Sequence, residues 1–304
     1  MNPTTRRESR AAVLFLAPSA LGLLVFIVLP VLASLLLAFT RWDLVTPPQF
    51  AGVSNFTQLL GFHHGQGGAW QANDPDFWRT FGNTLFYMLT LPVSLAIALF
   101  LAVAMNRPLR GLAVFRTLYF LPVITTLVAV SVLWRWIFNP DYGLMNWLLG
   151  VVGIPALPWL ASTFWAKPAI MIMSLWKGLG YHMLVYLAAL QGIPQDLHEA
   201  AELDGAGAWT RFWRITFPLL APAHFFLLVI GVIWGFQIFD SVYVMTEGGP
   251  AGSTAPIIYY LYQKAFRWFE MGYASAIAWV LFACMFTVTL LQWRSFGRRQ
   301  GATS

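Results

Sequence analysis

Between Arg10 and Arg41 the chain runs for 30 residues without a charge. A helix needs only about 20 apolar residues to cross the hydrocarbon of a bilayer, so this run can span it with length to spare. A secretory leader has an apolar region of about 7–15 residues and a small-residue cleavage site. The run therefore predicts a retained helix, with Pro18 near its start and Pro30 at a kink. Five more runs follow. Two lie between Arg79 and Arg107 and between Arg116 and Arg135; a fourth covers about 168–190 with Lys177 inside it. A fifth follows Arg214 and ends near Asp240, and a sixth lies between Glu270 and Arg294. Inside lipid every backbone N–H and C=O must be paired within the protein, so runs of this kind form helices. The expected fold is an all-α integral membrane protein of six transmembrane helices, one transmembrane domain over 1–304.

Charged residues make up only 10% of the chain, against about 25% in an ordinary soluble domain. That is too few to clothe a soluble core of this size. The net charge of +6 does not point to nucleic acid, because the basic residues are few and scattered between apolar runs. Their distribution reports orientation instead. Arg6, Arg7, Arg10, Arg107, Arg110, Arg116, Arg211, Arg214, Arg294, Arg298 and Arg299 fall on one face, eleven of the eighteen Lys and Arg. Arg41, Arg79, Arg135, Lys167, Lys264 and Arg267 fall on the other, among longer loops. Both termini and the 192–217 loop are therefore expected in the cytoplasm. The single cysteine, Cys284, excludes an intrachain disulfide and any multi-cysteine metal site.

The most polar part of the second half is Glu199–Pro222, EAAELDGAGAWTRFWRITFPLLAP. Good helix formers at 199–203 end at Gly205 and Gly207, which predicts a short helix and a sharp turn. The apolar chain resumes at Ile215, with Pro218 and Pro222 ahead of the next span. A short helix on the membrane surface, turned into a spanning helix, is the physical reading.

This stretch resembles the EAA loop of the membrane subunits of binding-protein-dependent ABC importers. Glu199, Ala200, Ala201, Gly205, Ile215 and Pro218 stand at that family's spacing, and Asp204-Gly205-Ala206 is similar to the DGA of its sugar-permease branch. Further segments agree. Phe50-Ala-Gly-Val-Ser-Asn-Phe resembles F-x-G-L-x-N-[FY] with Val53 in place of Leu; Asn83-Thr-Leu resembles the Asn-Thr-Leu after it. Asn139-Pro-Asp-Tyr-Gly-Leu-Met-Asn-Trp is similar to the family's loop between the third and fourth spans. Phe239-Asp-Ser-Val-Tyr-Val-Met-Thr-Glu-Gly-Gly-Pro resembles its signature after the fifth span. Within the extracytoplasmic loop 41–79, residues 61–76 read as an insertion relative to that pattern. His63 and His64 there read as solvated loop residues, since a metal would need further ligands at suitable spacing.

No catalytic constellation emerges. There is no G-x-x-x-x-G-K-[ST], and Lys167, Lys177 and Lys264 are the only lysines, none after a glycine loop. His198-Glu199-Ala-Ala-Glu202 lacks the second histidine of a zinc-protease motif. The chain is expected not to be an enzyme. Lys177 is the oddity, about nine residues into its run and so roughly 14 Å along the helix. A lysine at that depth costs about 2.5–3.5 kcal/mol and should face protein or a water-filled cavity. Ser174, Lys177, Gly178 and Tyr181 share one helical face, with His182 beside it. That face reads either as a substrate pathway or as packing, with Lys177 pinned by a carboxylate or a carbonyl. Trp234, Gln237, Asp240 and Ser241 have helical spacing in the fifth run and make a second candidate face. Trp70, Trp78, Trp134, Trp136, Trp147, Trp165, Trp268 and Trp293 lie near run ends or in loops and read mostly as interfacial anchors.

The resemblance implies a type I ABC importer permease of a bacterial or archaeal inner membrane, working by alternating access. It implies an ABC ATPase dimer holding the ATP and Mg, a second permease subunit of different sequence, and an extracytoplasmic solute-binding protein. It also implies a sugar or related polyol as substrate. Glu199, Ala200, Ala201, Asp204, Gly205, Ile215 and Pro218 are then the ATPase-coupling residues. From the residues alone, an ATP-independent transporter or channel using Lys177 and Asp240 remains the alternative.

Overall fold

The computed structural model describes residues 3–65, 68–106 and 111–300. Arg107 and Arg110 of the basic face, and Gln66 and Gly67 of the expected insertion, lie outside the described residues, as do the side chains of Arg6, Arg7, Arg10, Arg116, Arg298 and Arg299. Two helices, α1 (Pro3–Leu23) and α2 (Leu29–Leu37), are joined by a π turn at Leu24–Val28. Strands β1 (Thr40–Arg41) and β2 (Gln49–Phe50) then pair antiparallel, Thr40 opposite Phe50. After α3 (Ser54–Leu60) comes a second hairpin, β3 (Phe62–His64) with β4 (Trp70–Ala72). The helices α4 (Pro75–Met88), α5 (Thr90–Met105), α6 (Leu112–Ile124), α7 (Leu127–Ile137), α8 (Leu144–Val151) and α9 (Ala166–Gln191) follow. Next are α10 (Gln195–Leu203), α11 (Ala208–Arg211), a π turn at Phe212–Thr216, α12 (Phe217–Leu219) and α13 (Ala221–Phe236). The chain continues through α14 (Asp240–Met245), α15 (Ile257–Tyr262), a π turn at Gln263–Arg267, and α16 (Met271–Gln300).

Among the described residues, Ala12–Leu37, Pro75–Met105, Ala166–Gln191 and Met271–Ser295 are each long and apolar enough to cross a membrane as one helix. The third and fifth runs differ from the straight spans the sequence predicts. Thr117–Ile124 and Leu127–Ile137 meet at 110°, and Ala208–Leu219 and Ala221–Phe236 at 60°, giving up to six spans if each bent pair is one. The causes are local. Thr125 and Thr126 are extended, with ψ near 141° and 142°, so the helical ladder stops between α6 and α7. Proline shapes the other bend and the first span. Pro30 and Pro218 carry no N–H, and their rings crowd the carbonyl four residues back. In both places the preceding turn widens: Leu29 N–H bonds Leu24 O and Phe217 N–H bonds Phe212 O.

The chain forms two compact units, Met1–Pro75 with Leu261–Leu281, and Asp76–Tyr260 with Phe282–Ser304. In the first, Asn55 is buried and donates to Ala38 O at 2.8 Å and Thr40 O at 2.9 Å, tying α3 to the end of α2. Met271 N–H bonds Trp42 O, and the Tyr273 hydroxyl donates to Asp74. The 61–76 tract is a hairpin rather than an unstructured loop. His63 and His64 are neighbours on a strand and so point to opposite faces. His63 Nδ1 pairs with Asn73 Oδ1 at 2.8 Å, while the His64 ring lies 3.9 Å from that of Trp70.

The second unit has two apolar clusters. Leu95, Ala98, Ala102, Met183, Leu187, Leu190, Leu220 and Leu227 join α5, α9 and α13. Val130, Trp134, Phe138, Trp159, Ile170 and Met173 join α7 and α9 with the 152–165 connection. Trp134 is therefore core, not an interfacial anchor; its ring packs 5.2 Å from Phe138 and 5.6 Å from Trp176. Small residues set the helix spacing. Gly231 and Gly235, four apart on α13, admit Leu91 and Met88 so closely that an added Cβ would lie 2.3 and 3.0 Å from them. At Gly180 an added Cβ would lie 2.1 Å from the Tyr119 carbonyl oxygen, so α6 touches the backbone of α9 there.

That contact is with backbone and cannot be relieved by a rotamer change. Gly180→Val is expected to destabilise the detergent-purified protein by at least about 1–3 kcal/mol. Gly82→Ala, where nothing lies within 4 Å, should be neutral or stabilising. Thermal unfolding of the two variants checks this, and equal melting points would contradict it.

Candidate functional site

A cavity of about 390 Å³ opens between α5, α9 and α13 in the second unit, within the range of small-ligand pockets. The residues on both sequence-predicted faces line it: Ser174, Lys177, Gly178 and Tyr181 from α9, and Trp234, Gln237, Asp240 and Ser241. The second face is not one continuous helix. α13 ends at Phe236, Gln237 caps it, Phe239 turns away at φ −140°, and Asp240 opens α14. The expected span to Asp240 is thus shorter, yet the turn keeps the four residues on one wall. The Tyr181 and Trp234 rings lie 5.2 Å apart and join the two faces.

Tyr87, Thr90 and Ser94 complete the lining and were not legible as site residues. Their three- and four-residue spacing marks a polar stripe in an apolar run, which was the available signal. Ser94 is buried and its hydroxyl pairs with His182 Nδ1 at 2.8 Å, so that histidine is a satisfied cavity-wall group. On the next turns of α9, Tyr186 pairs with His224 Nδ1 at 2.8 Å.

Lys177 is held by carbonyls, not by a carboxylate. Its Nζ donates to Pro122 O at 3.0 Å and to Thr125 O at 2.7 Å, both at the α6–α7 corner. The end of α6 carries the negative pole of its dipole and carbonyls without helical partners. Charge-assisted hydrogen bonds contribute about 1.5–3 kcal/mol each, enough for two to offset the cost of holding an ammonium at that depth in a span. The Thr125 hydroxyl takes a third carbonyl, Leu121 O, at 3.0 Å.

The coupling candidates lie on a separate, exposed element. α10 starts at Gln195, four residues before Glu199, and none of its side chains is buried. It ends in a complete glycine cap: Gly205 N–H bonds Glu202 O, Ala206 N–H bonds Ala201 O, and Gly205 has φ +81°. Asp204 is the C-cap residue. Gln195 donates to Glu199 Oε1 at 2.9 Å, and Arg211 pairs with Glu202 across the turn. Leu203 and Trp209 are 90% and 75% exposed, so this polar element also presents apolar side chains. Ile215 lies in the π turn and Pro218 in α12, at the bend into α13.

A third cluster explains two sequence segments at once. Asn83 is buried on α4 and donates to Gly252 O and Ala255 O, at 3.3 and 2.9 Å, while Lys167 donates to its Oδ1 at 3.0 Å. Thr84 accepts the Ile257 N–H, and the Tyr87 hydroxyl donates to Thr254 O, each at 2.9 Å. The Asn-Thr pair thus fastens the Gly-Gly-Pro loop to α4. Gly252 sits at φ +70°, a left-handed conformation that favours glycine.

A helical, membrane-spanning scaffold with a polar interhelical cavity and an exposed short helix at its bend is the architecture of a transport subunit. Residues 94–299 match the family described as binding-protein-dependent transport system inner membrane component. The chain is 38% identical to a Bacillus subtilis protein named probable ABC transporter permease protein YesP, over 95% of this chain and 91% of that one. It is 37% identical to the lactose transport system permease protein LacF of Rhizobium radiobacter, over 94% of each. A solved chain of a bacterial ABC transporter involved in the import of alginate superposes with a TM-score of 0.82 at 24% identity, over 98% of this chain and 99% of that one. The chain belongs to the binding-protein-dependent transport system inner membrane components: it is a permease subunit of an ABC importer, and the ATPase activity resides in separate subunits. The ATP-independent alternative built on Lys177 and Asp240 is set aside by this membership.

Asn83→Ala removes a buried amide and leaves Lys167 and two carbonyls without it, costing about 1–3 kcal/mol. Hydrogen exchange in 248–257 is expected to quicken while α10 is unaffected. Unchanged exchange in that loop would contradict the fastening role.

Proposed function

We propose that the chain crosses the inner membrane of a bacterium or archaeon six times, with both termini and the 192–217 loop in the cytoplasm. In this reading it is a type I importer permease that moves a sugar or related polyol by alternating access. The observation that carries the substrate class is the cavity lining. Hydroxyls of Thr90, Ser94 and Ser174, the Gln237 amide and the Tyr181 and Trp234 rings suit a hydroxyl-rich solute, and Lys177 and Asp240 bring opposite charges that leave the wall neutral. The lactose-permease relative is consistent with that class. Ser174, Lys177, Tyr181, Gln237 and Asp240 form the proposed pathway.

The partners in this reading are an ABC ATPase dimer that binds ATP and Mg, a second permease subunit of different sequence and an extracytoplasmic solute-binding protein. α10 is the segment that fits a groove on one ATPase. Glu199 offers it a charge, Ala200 and Ala201 permit close approach, Asp204 and Gly205 close the cap, and Ile215 and Pro218 transmit the motion into the bend before α13. The 41–79 loop, with its 61–76 insertion, faces the outside. An exposed amphipathic helix with a rigid cap and no buried side chain of its own supports this docking role.

Two tests follow. Glu199→Lys and Gly205→Val should abolish ATP-driven uptake in proteoliposomes while the subunit still inserts; normal uptake by both would sink the docking reading. Gln237→Leu and Asp240→Asn should raise the half-saturating concentration of whichever sugar the companion binding protein retains from a panel. A bare loss on Gln237 of one neutral hydrogen bond is worth about 0.5–1.5 kcal/mol, or roughly three- to tenfold. Unaltered saturation curves for both variants would remove the cavity from the pathway.

A further inference from the structure

We propose that Lys177 is a positioning residue that holds the 110° corner between α6 and α7 against α9, and with it one wall of the cavity. Four observations converge on it. The corner residues Thr125 and Thr126 are extended, so no helical N–H returns to the carbonyls that end α6. Of those carbonyls, Leu121 O is taken by the Thr125 hydroxyl, and Pro122 O and Thr125 O share the Lys177 ammonium. One turn along α9, Gly180 lets the Tyr119 carbonyl approach the backbone, so α6 is seated on α9 at two points three residues apart. Val123 and Leu127, on either side of the corner, line the cavity together with Lys177.

The chemistry makes the side chain specific. An ammonium has three donors and no acceptor, so it bridges two carbonyls and keeps one N–H for the cavity. A hydroxyl or an amide at 177 would be too short to reach both carbonyls from the α9 backbone. Without the bridge, the Pro122 and Thr125 carbonyls lose their charged partner, and the corner must open or repack. The consequence for transport rests on the reading of the cavity as the solute path; the corner itself does not.

The test reads the corner directly and needs no solute. In the complex purified from its own cells, Cys284→Ser removes the only native cysteine of this chain, and Leu127→Cys reports the corner through its rate of reaction with methyl methanethiosulfonate. Leu148→Cys on α8 serves as the control for general loosening. Lys177→Met is expected to quicken labelling at 127 roughly tenfold or more, the scale of one lost charge-assisted hydrogen bond, with position 148 unchanged. Lys177→Arg, which keeps a charge and donors but in a wider planar fork, should give a rate below that of Lys177→Met. Should Lys177→Met fail to assemble, Lys177→Gln carries the comparison and should give a rate above that of Lys177→Arg. Equal labelling across all variants overturns the proposal, as does a rise at 148 matching that at 127. Failure here leaves the solute path to be judged by the Gln237 and Asp240 variants.

Discussion

A backbone broken inside an apolar environment must find partners for the carbonyls it exposes, and most of this structure's second unit is arranged around that demand. The α6–α7 corner leaves a set of carbonyls without helical partners, and they are met by a threonine hydroxyl from the corner and an ammonium from the neighbouring helix. The same demand explains the proline bends. At Pro30 and Pro218 the missing N–H is accommodated by widening the turn before it, so the helix continues past the proline.

The cavity lies against the α6–α7 corner and the end of α13. α9 crosses it nearly straight and supplies one polar wall; α13 stops short and turns, presenting Gln237 and Asp240 from a capping turn and the start of α14. Glycines bring the framework close: Gly180 beneath α6, Gly231 and Gly235 beneath the α4–α5 junction. On the inner wall the Ser94 hydroxyl pairs with His182 Nδ1, which fixes that histidine at the edge of the cavity. Just after α9, α10 is closed off by a different device. Its glycine cap satisfies the last carbonyls locally, and none of its side chains is buried.

Much of this was legible in the sequence. Apolar runs located the four long helices and the two bent pairs, and helical spacing grouped Ser174, Lys177 and Tyr181 on a face that the structure places on one cavity. The glycine at 205 announced the end of α10, although the helix began earlier than Glu199 because Gln195 and Asp196 extend it behind Pro194. What spacing could not show was where a run breaks. The extended Thr125-Thr126 pair is a tertiary feature, and its Thr125 carbonyl meets Lys177, 52 residues away in sequence. Nor could spacing identify Tyr87, Thr90 and Ser94, whose polarity is diluted by the apolar run around them. Asn83 and Thr84 read as a motif without a reason; their hydrogen bonds to the 252–257 segment supply it.

The central claim is that this permease works within an ATP-driven assembly. Its most direct test is affinity purification of the tagged chain from its own cells in mild detergent, with every co-purifying protein identified by mass spectrometry. The account predicts a P-loop ATPase and a second multi-span permease of different sequence in stoichiometric amounts. Recovery of this chain alone, still moving a solute across liposomes without ATP, would contradict it.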